Sequence, residues 1–229
     1  MKRIGLILMF LLFSQAAFAM PNTGFYVGIS GGYVIPQTAT MFEPHYGHTD
    51  TTLENGGFVG VKSGWLTPFT RRIMALEMEY NYIFGTDFDK SKVVNLAGWG
   101  PGTLLDGTIG VHAFLFNIKA RYPEGPIHPY AGAGLGYSYF QMGDITARDG
   151  GGGLIDSIPG GSGGAFSYQF MAGLDVDIAP NISLGAGYKY FAAKPNIKDD
   201  TFYAHGYHGY NYDLDYRTSI LSLGLTFTF

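Results

Sequence analysis

The sequence predicts an all-β fold: a closed antiparallel transmembrane β-barrel of about eight strands, with short periplasmic turns and four long extracellular loops. Three observations predict it. In the last segment, Leu221, Leu223, Leu225, Phe227 and Phe229 are large and apolar, while Ser222, Gly224, Thr226 and Thr228 are small or hydroxylated. A period of two puts these sets on opposite faces of a strand, and about ten residues suffice for a tilted strand to cross a bilayer. Second, charged residues make up 14% of the chain and aromatics 16%, whereas a soluble domain carries about 25% charge. Third, segments of this kind recur with alternating long and short spacers.

The leader comes first. Met1-Lys2-Arg3 is a basic start, Ile4 to Phe13 an apolar core, and Ala17-Phe18-Ala19 a small-x-small cleavage motif. Residues 1–19 therefore read as a cleaved signal peptide for Sec-type export, and 20–229 as a single barrel domain. Loss of Lys2 and Arg3 takes the net charge from −4 to −6, which disfavours nucleic acid as a partner. No later run is long and apolar enough for a membrane helix. There is no cysteine, so disulfides, thiolate metal sites and a lipid-anchored cysteine are excluded.

The first strand alternates Phe25, Val27, Ile29, Tyr33 and Ile35 with Gly28, Ser30 and Gly32. After a polar loop from about Pro36 to Glu54, the second strand, about Gly57 to Leu66, sets Val59, Val61 and Trp65 against Gly60, Lys62 and Gly64. A tight connection, Thr67-Pro68-Phe69-Thr70, leads to a third with Met74, Leu76, Met78, Tyr80 and Tyr82 against Ala75, Glu77, Glu79 and Asn81. A loop from about Gly85 to Gly107 precedes the fourth, where Phe114, Phe116 and Ile118 oppose Leu115, Asn117 and Lys119. The two prolines of Tyr122-Pro123-Glu124-Gly125-Pro126 mark the second short turn. In the fifth strand Ala131, Ala133, Leu135, Tyr137 and Tyr139 face away from Gly132, Gly134, Gly136 and Ser138. Gly143 to Gly164 is glycine-rich and is expected to be mobile. The sixth strand sets Phe166, Tyr168, Phe170, Leu174 and Val176 against Ser167, Gln169, Gly173, Asp175 and Asp177. The seventh follows Ala179-Pro180-Asn181 and sets Leu184, Ala186, Tyr188 and Tyr190 against Gly185, Gly187 and Lys189. A fourth long loop, about Pro195 to Arg217, leads to the terminal strand.

A lipocalin-like soluble barrel also has eight strands, but its charged face meets water. Here the less apolar face is mainly glycine and serine, which suits a narrow packed lumen. Its charges, Lys62, Glu77, Glu79, Lys119, Asp175 and Lys189, are read as a structural network, because an unpaired charge there costs several kcal/mol. A turn centred between Phe69 and Thr70 would set Lys62 opposite Glu77, and Asp175 facing Gly187 would bring it within diagonal reach of Lys189. Trp65, Tyr80, Tyr137, Tyr188 and Phe229 are read as an aromatic girdle at the membrane interfaces.

Phe25-Tyr26-Val27-Gly28, Pro129-Tyr130-Ala131-Gly132-Ala133-Gly134-Leu135-Gly136, Ala172-Gly173-Leu174-Asp175 and Gly187-Tyr188-Lys189-Tyr190-Phe191 occur in an order that resembles the small outer-membrane β-barrels of the OmpA/OmpX and opacity-protein type. The resemblance spans about Phe25 to Phe229 and includes no peptidoglycan-binding domain. It implies an integral protein of the bacterial outer membrane, surrounded by outer-membrane lipid. It also implies recognition of the terminal aromatic strand by the barrel-assembly machinery, and a structural or adhesion-like role toward a surface ligand; a small pore or solute conduit is the alternative.

No catalytic residue, cofactor or metal is expected. His45, His48, His205 and His208 form two His-x-x-His spacings in the first and fourth long loops. Those spacings suit a divalent cation or, equally, a solvated or adhesive surface. A barrel enzyme acting on lipid A acyl chains would need a serine nucleophile beside a histidine base. His112 is the strand histidine best placed for that role, but Ser138 on the next strand is read as facing inward.

Overall fold

The computed structural model describes residues 24–37, 39–43, 47–89, 93–96, 100–158, 160–198 and 211–229. The leader lies outside them. Eight strands form the barrel: β1 (Phe25–Pro36), β2 (Gly56–Leu66), β3 (Met74–Phe84), β4 (Ile109–Arg121), β5 (Ile127–Met142), β6 (Gly161–Ala179), β7 (Ile182–Ala193) and β8 (Asn211–Thr228). Each pairs antiparallel with the next, and β8 pairs with β1 from Thr228 opposite Tyr26 to Thr218 opposite Pro36, closing the ring. No helix among the described residues is long and apolar enough to cross a membrane.

Register fixes the barrel's dimensions. Crossing the ladder from Phe25 through Trp65, Leu76, Ile118, Ala133, Phe170, Tyr190 and Ser219 returns to β1 at Ile35, ten residues on. With a rise of about 3.3 Å per residue and strands about 4.8 Å apart, this stagger tilts the strands by roughly 40°. Eight strands at that tilt leave an interior that side chains fill.

The outer face between the turns and the loops is a continuous apolar belt, with Ile29, Met78, Phe116, Leu135 and Leu223 all exposed. No water-facing sheet carries such a face; it calls for a lipid solvent. Phe25, Trp65, Phe227 and Phe229 border the belt at the turn end, and Tyr33, Tyr82, Tyr137 and Tyr190 at the loop end. From register the belt is roughly 20–25 Å tall, the height of a transmembrane band.

Two register expectations are corrected. Lys62 lies opposite Glu79, and Gly64 opposite Glu77, because the first turn is longer than a tight connection. It contains a 3₁₀ turn, Pro68–Thr70, followed by Arg71 in the left-handed region. Asp175 faces Gly185 rather than Gly187, the ladder shifting between Asp177 and Ala179 beside the short third turn.

The loops are more ordered than their composition suggests. Ala39–Glu43 and Gly47–Thr51 form a hairpin whose first strand pairs with the loopward end of β8. Asn196–Lys198 joins β8 from its other side. Val93–Leu96, Gly100–Asp106, Ile145–Arg148 and Leu154–Ile158 make a separate four-stranded sheet. The glycine-rich third loop, expected to be mobile, is thus partly a hairpin. The Asp149 carboxylate accepts the N–H groups of Gly151 and Gly153 at 2.9 and 2.7 Å across its turn, and Gly161 to Gly164 already belong to β6.

Candidate functional site: a two-layered lumen beneath a folded loop end

Side chains that alternation turns inward meet in the lumen, and they divide it into two layers. The layer nearer the turns is polar. Glu79 is buried and takes an ion pair from Lys189, with further hydrogen bonds from Asn117 Nδ2 (3.1 Å) and Gln169 Nε2 (2.8 Å). Glu77, one inward position closer to the turns, accepts from Tyr26 Oη (2.9 Å) and Asn117 Nδ2 (3.1 Å). It lies 3.6 Å from Lys119 and 4.0 Å from Lys62. Lys119 also reaches Asp175 at 3.8 Å and lies over the Tyr130 ring at 4.0 Å. All six charges read from the sequence therefore lie in one connected network, but with different partners: Asp175 pairs with Lys119, and Lys189 with Glu79. Low dielectric explains the density of contacts, since each buried charge must recover the hydration it has lost.

The polar layer ends at the turns in a clasp that the sequence reading missed. His128 on β5 sets Nδ1 2.8 Å from the Tyr122 carbonyl and Nε2 2.9 Å from Asp177 on β6. Ser183 on β7 donates to the same carboxylate at 2.6 Å. The signal was a strand histidine in register with an acid, Asp175 opposite His128 and Asp177 two residues on.

The layer nearer the loops is apolar. Val34, Phe58, Ile83, Val111, Phe140, Phe191, Tyr216 and Ile220 are all buried there. The same cluster continues without a break into the loops through Leu53, Phe88, Leu105, Ile145, Ala147 and Ile197. Tyr216 packs edge-on against Phe140 and Phe191 and donates to Thr86 Oγ1 at 3.3 Å. Loop backbones fix the cap, Glu54 N–H donating to Asp87 O (2.7 Å) and Phe88 N–H to Gly107 O (3.0 Å). The sequence carried this signal as a loss of alternation at the loop ends of strands, for example Tyr33-Val34-Ile35 and Tyr190-Phe191.

Of the residues read as a girdle, Trp65 and Phe229 sit at the turn end and Tyr137 at the loop end. Tyr80 and Tyr188 lie deeper in the apolar belt, and their hydroxyls reach loopward partners: His112 Nδ1 (2.8 Å) and Ser219 Oγ (2.9 Å). A phenol in the belt keeps its hydrogen bond that way. His112 lies on the outer face against Tyr82, ring centroids 4.7 Å apart. Ser138 points into the lumen and donates to Ser167 at 2.9 Å, so the two residues of a conceivable Ser–His pair lie on opposite faces of the sheet. His45, His205 and His208 lie outside the described residues, and of His48 only the backbone, in Gly47–Thr51, is described. Among the described residues no cluster of His, Asp and Glu has the makings of a metal site.

Above the belt, Asp215 meets Arg217 at 2.8 and 2.7 Å and Lys194 at 3.2 Å. Burial alone would push its carboxyl up, but these hydrogen bonds outweigh it and hold the carboxyl below the usual carboxylate range.

A family model described as an outer membrane protein beta-barrel domain matches residues 5–229. Among solved structures the fold is similar to neisserial surface protein A (NspA), with a TM-score of 0.50 and 17% identity over 90% of this chain and 97% of that one. It is similar also to the outer membrane protein AlkL in DMPC bilayers, at 0.50 and 16% over 91% of each chain, and to OprG from Pseudomonas aeruginosa, at 0.47 and 15% over 90% and 96%. At these identities the likeness is one of fold. Comparison with curated proteins by sequence gave no match.

Proposed function

Because the chain belongs to the outer membrane protein beta-barrel domain family, we propose that it is a closed, non-enzymatic outer-membrane barrel whose folded loop end presents an interaction surface outside the cell. Export under the leader and assembly through the β8 terminus are part of this reading. The observation that carries it is the unbroken apolar cluster running from the lumen into the loops. A conduit for ions or polar solutes needs a wet path from end to end. Here a dry layer follows a layer of paired charges, and each alone opposes passage. An acyl-modifying enzyme is disfavoured by the placement of His112 and Ser138 on opposite faces. A structural or surface role asks only for a rigid barrel and an ordered platform, and loops on a rigid scaffold are where binding resides.

Planar-bilayer recording of the refolded protein is expected to be silent, and steady unitary openings would overturn the closed reading. Replacing Ile145–Ile158 with a short glycine-serine turn is expected to leave the barrel folded and to abolish adhesion of cells displaying it. Unchanged adhesion would remove that loop from the surface role.

A further inference from the structure

Arg121, the last residue of β4, stands at the turn end of the lumen on the face it shares with Asn117 and Lys119. Its Nε is buried and has no hydrogen-bond partner in the chain. Beside it, Lys119 Nζ lies 3.6 Å from Glu77 and 3.8 Å from Asp175, and Lys62 Nζ lies 4.0 Å from Glu77. Charge-assisted hydrogen bonds are shorter, about 2.7–2.9 Å. Both ammonium groups therefore keep N–H donors that these carboxylates do not take. Deeper in the lumen the balance is different, since Glu79 is held closely by Lys189 and by two amides.

The charge count points the same way. Among the described residues the polar layer sets Lys62, Lys119, Arg121 and Lys189 against Glu77, Glu79 and Asp175, one cation in excess. Asp177, the next acid, stands at the rim with 39% of its side chain exposed, engaged by His128 and Ser183. The unmatched donors surround a cavity of about 20 Å³, lined by Tyr26, Lys62, Lys119, Arg121, Asp175 and Thr226 among others. Lys62 reaches it across Gly28, where a Cβ would lie 2.8 Å from Lys62 Cε. About 10–15 Å³ of such space holds one water, so the cavity admits one particle slightly larger than water. A halide ion has that size; a phosphate or a lipid headgroup exceeds it. Water could satisfy the donors but would leave the excess charge uncompensated, and a charge out of bulk water needs a counter-charge.

We propose that Lys62, Lys119 and Arg121 form a binding site for a small monovalent inorganic anion, chloride or an ion of its size, at the turn-end mouth of the lumen. The bound anion accepts from Arg121 Nε–H and from the free ammonium donors, and it cancels the excess charge. The site lies at the opposite end of the lumen from the loop surface and is independent of what the loops bind.

The test refolds the protein in an uncharged detergent. It measures the urea midpoint as sodium chloride replaces sodium gluconate at constant ionic strength, gluconate being too large for the cavity. The wild-type midpoint is expected to rise with chloride and to saturate, and wild type is expected to broaden the chloride NMR line. Arg121→Gln removes a buried guanidinium without a hydrogen bond to its Nε, so it is expected to fold as well in gluconate and to lose both effects. Lys62→Gln is expected to weaken both, and it carries the same comparison if Arg121→Gln does not refold. Lys194→Ala, which removes an exposed cation at the loop end, is expected to keep them. An equal rise and equal broadening in wild type and Arg121→Gln would overturn the site. So would a wild type indifferent to chloride by both measures, which would leave the cavity to water. If sulfate reproduced the rise at the same ionic strength, the assignment to an ion of halide size would be overturned.

Discussion

Glu79 shows how much of the lumen's order rests on single residues. Its carboxylate takes one ion pair and two amide hydrogen bonds, and all its partners are buried. Truncation would strand the Lys189 ammonium and leave Asn117 and Gln169 each short of an acceptor. Glu79→Ala is therefore expected to cost about 3–5 kcal/mol. Replacing the pair together, Glu79→Leu with Lys189→Met, is expected to recover only the part of that loss due to the stranded ammonium, because Asn117 and Gln169 still lack the acceptor they had. Equilibrium unfolding in detergent would measure both, and a double variant no better than the single one would mean that the pair contributes more than mutual neutralisation. The members of this network were legible in the sequence, since each is a charge on the small-residue face of an alternating strand. Their partners were not, because partnership depends on register. The 3₁₀ turn at Pro68–Thr70 displaced the Lys62 ladder by two residues, and a turn's conformation is a balance of local hydrogen bonds that composition does not reveal.

At the scale of elements, β8 closes the barrel and also builds the cap. Its turnward part holds Leu221, Leu223 and Leu225 outward to lipid. Its loopward part buries Leu214 and Tyr216 inward and turns Arg217 to solvent. The apolar face changes sides where the strand leaves the membrane, because the wet side is now the outside. Alternation in the sequence therefore identified the strand from Thr218 onward but not Asn211–Arg217, where the pattern inverts. The Gly161–Gly164 start of β6 was missed for another reason: glycines carry no pattern. The seam that β8 makes with β1 depends on close approach at Gly32, where a Cβ would collide with the carbonyl of Leu221. Gly32→Val is expected to prevent closure, seen as loss of the heat-dependent mobility shift and as proteolysis of β8. Gly150→Ala, where a Cβ meets nothing within 4 Å, is expected to behave as wild type. If Gly32→Val kept its compact band, the β1–β8 seam would not be the point at which the barrel closes.

For the whole molecule, the proposed closed state makes the two layers of the lumen two barriers in series, of different physical kinds. The paired charges oppose ions because each is already neutralised by its partner. The apolar cap opposes them because an ion entering it would shed water with nothing in return. The barrel and its polar layer followed from periodicity, whereas the cap did not, since it is assembled from residues far apart in sequence, among them Leu53, Phe88, Leu105 and Ile197, that only the closed ring brings together. Serial barriers make a prediction that neither barrier makes alone. Glu79→Gln, which loosens the charge layer, is expected to remain silent in single-channel recording because the cap still seals. Phe58→Ser with Phe88→Ser, which wets the cap, is expected to remain silent because the charge layer is intact. The triple variant is expected to open, with unitary events that wild type lacks. Openings in Glu79→Gln alone would mean that the loop end leaks. Silence in the triple variant, with the heat-dependent shift retained, would mean that the remaining side chains fill the lumen tightly enough to block it without either layer.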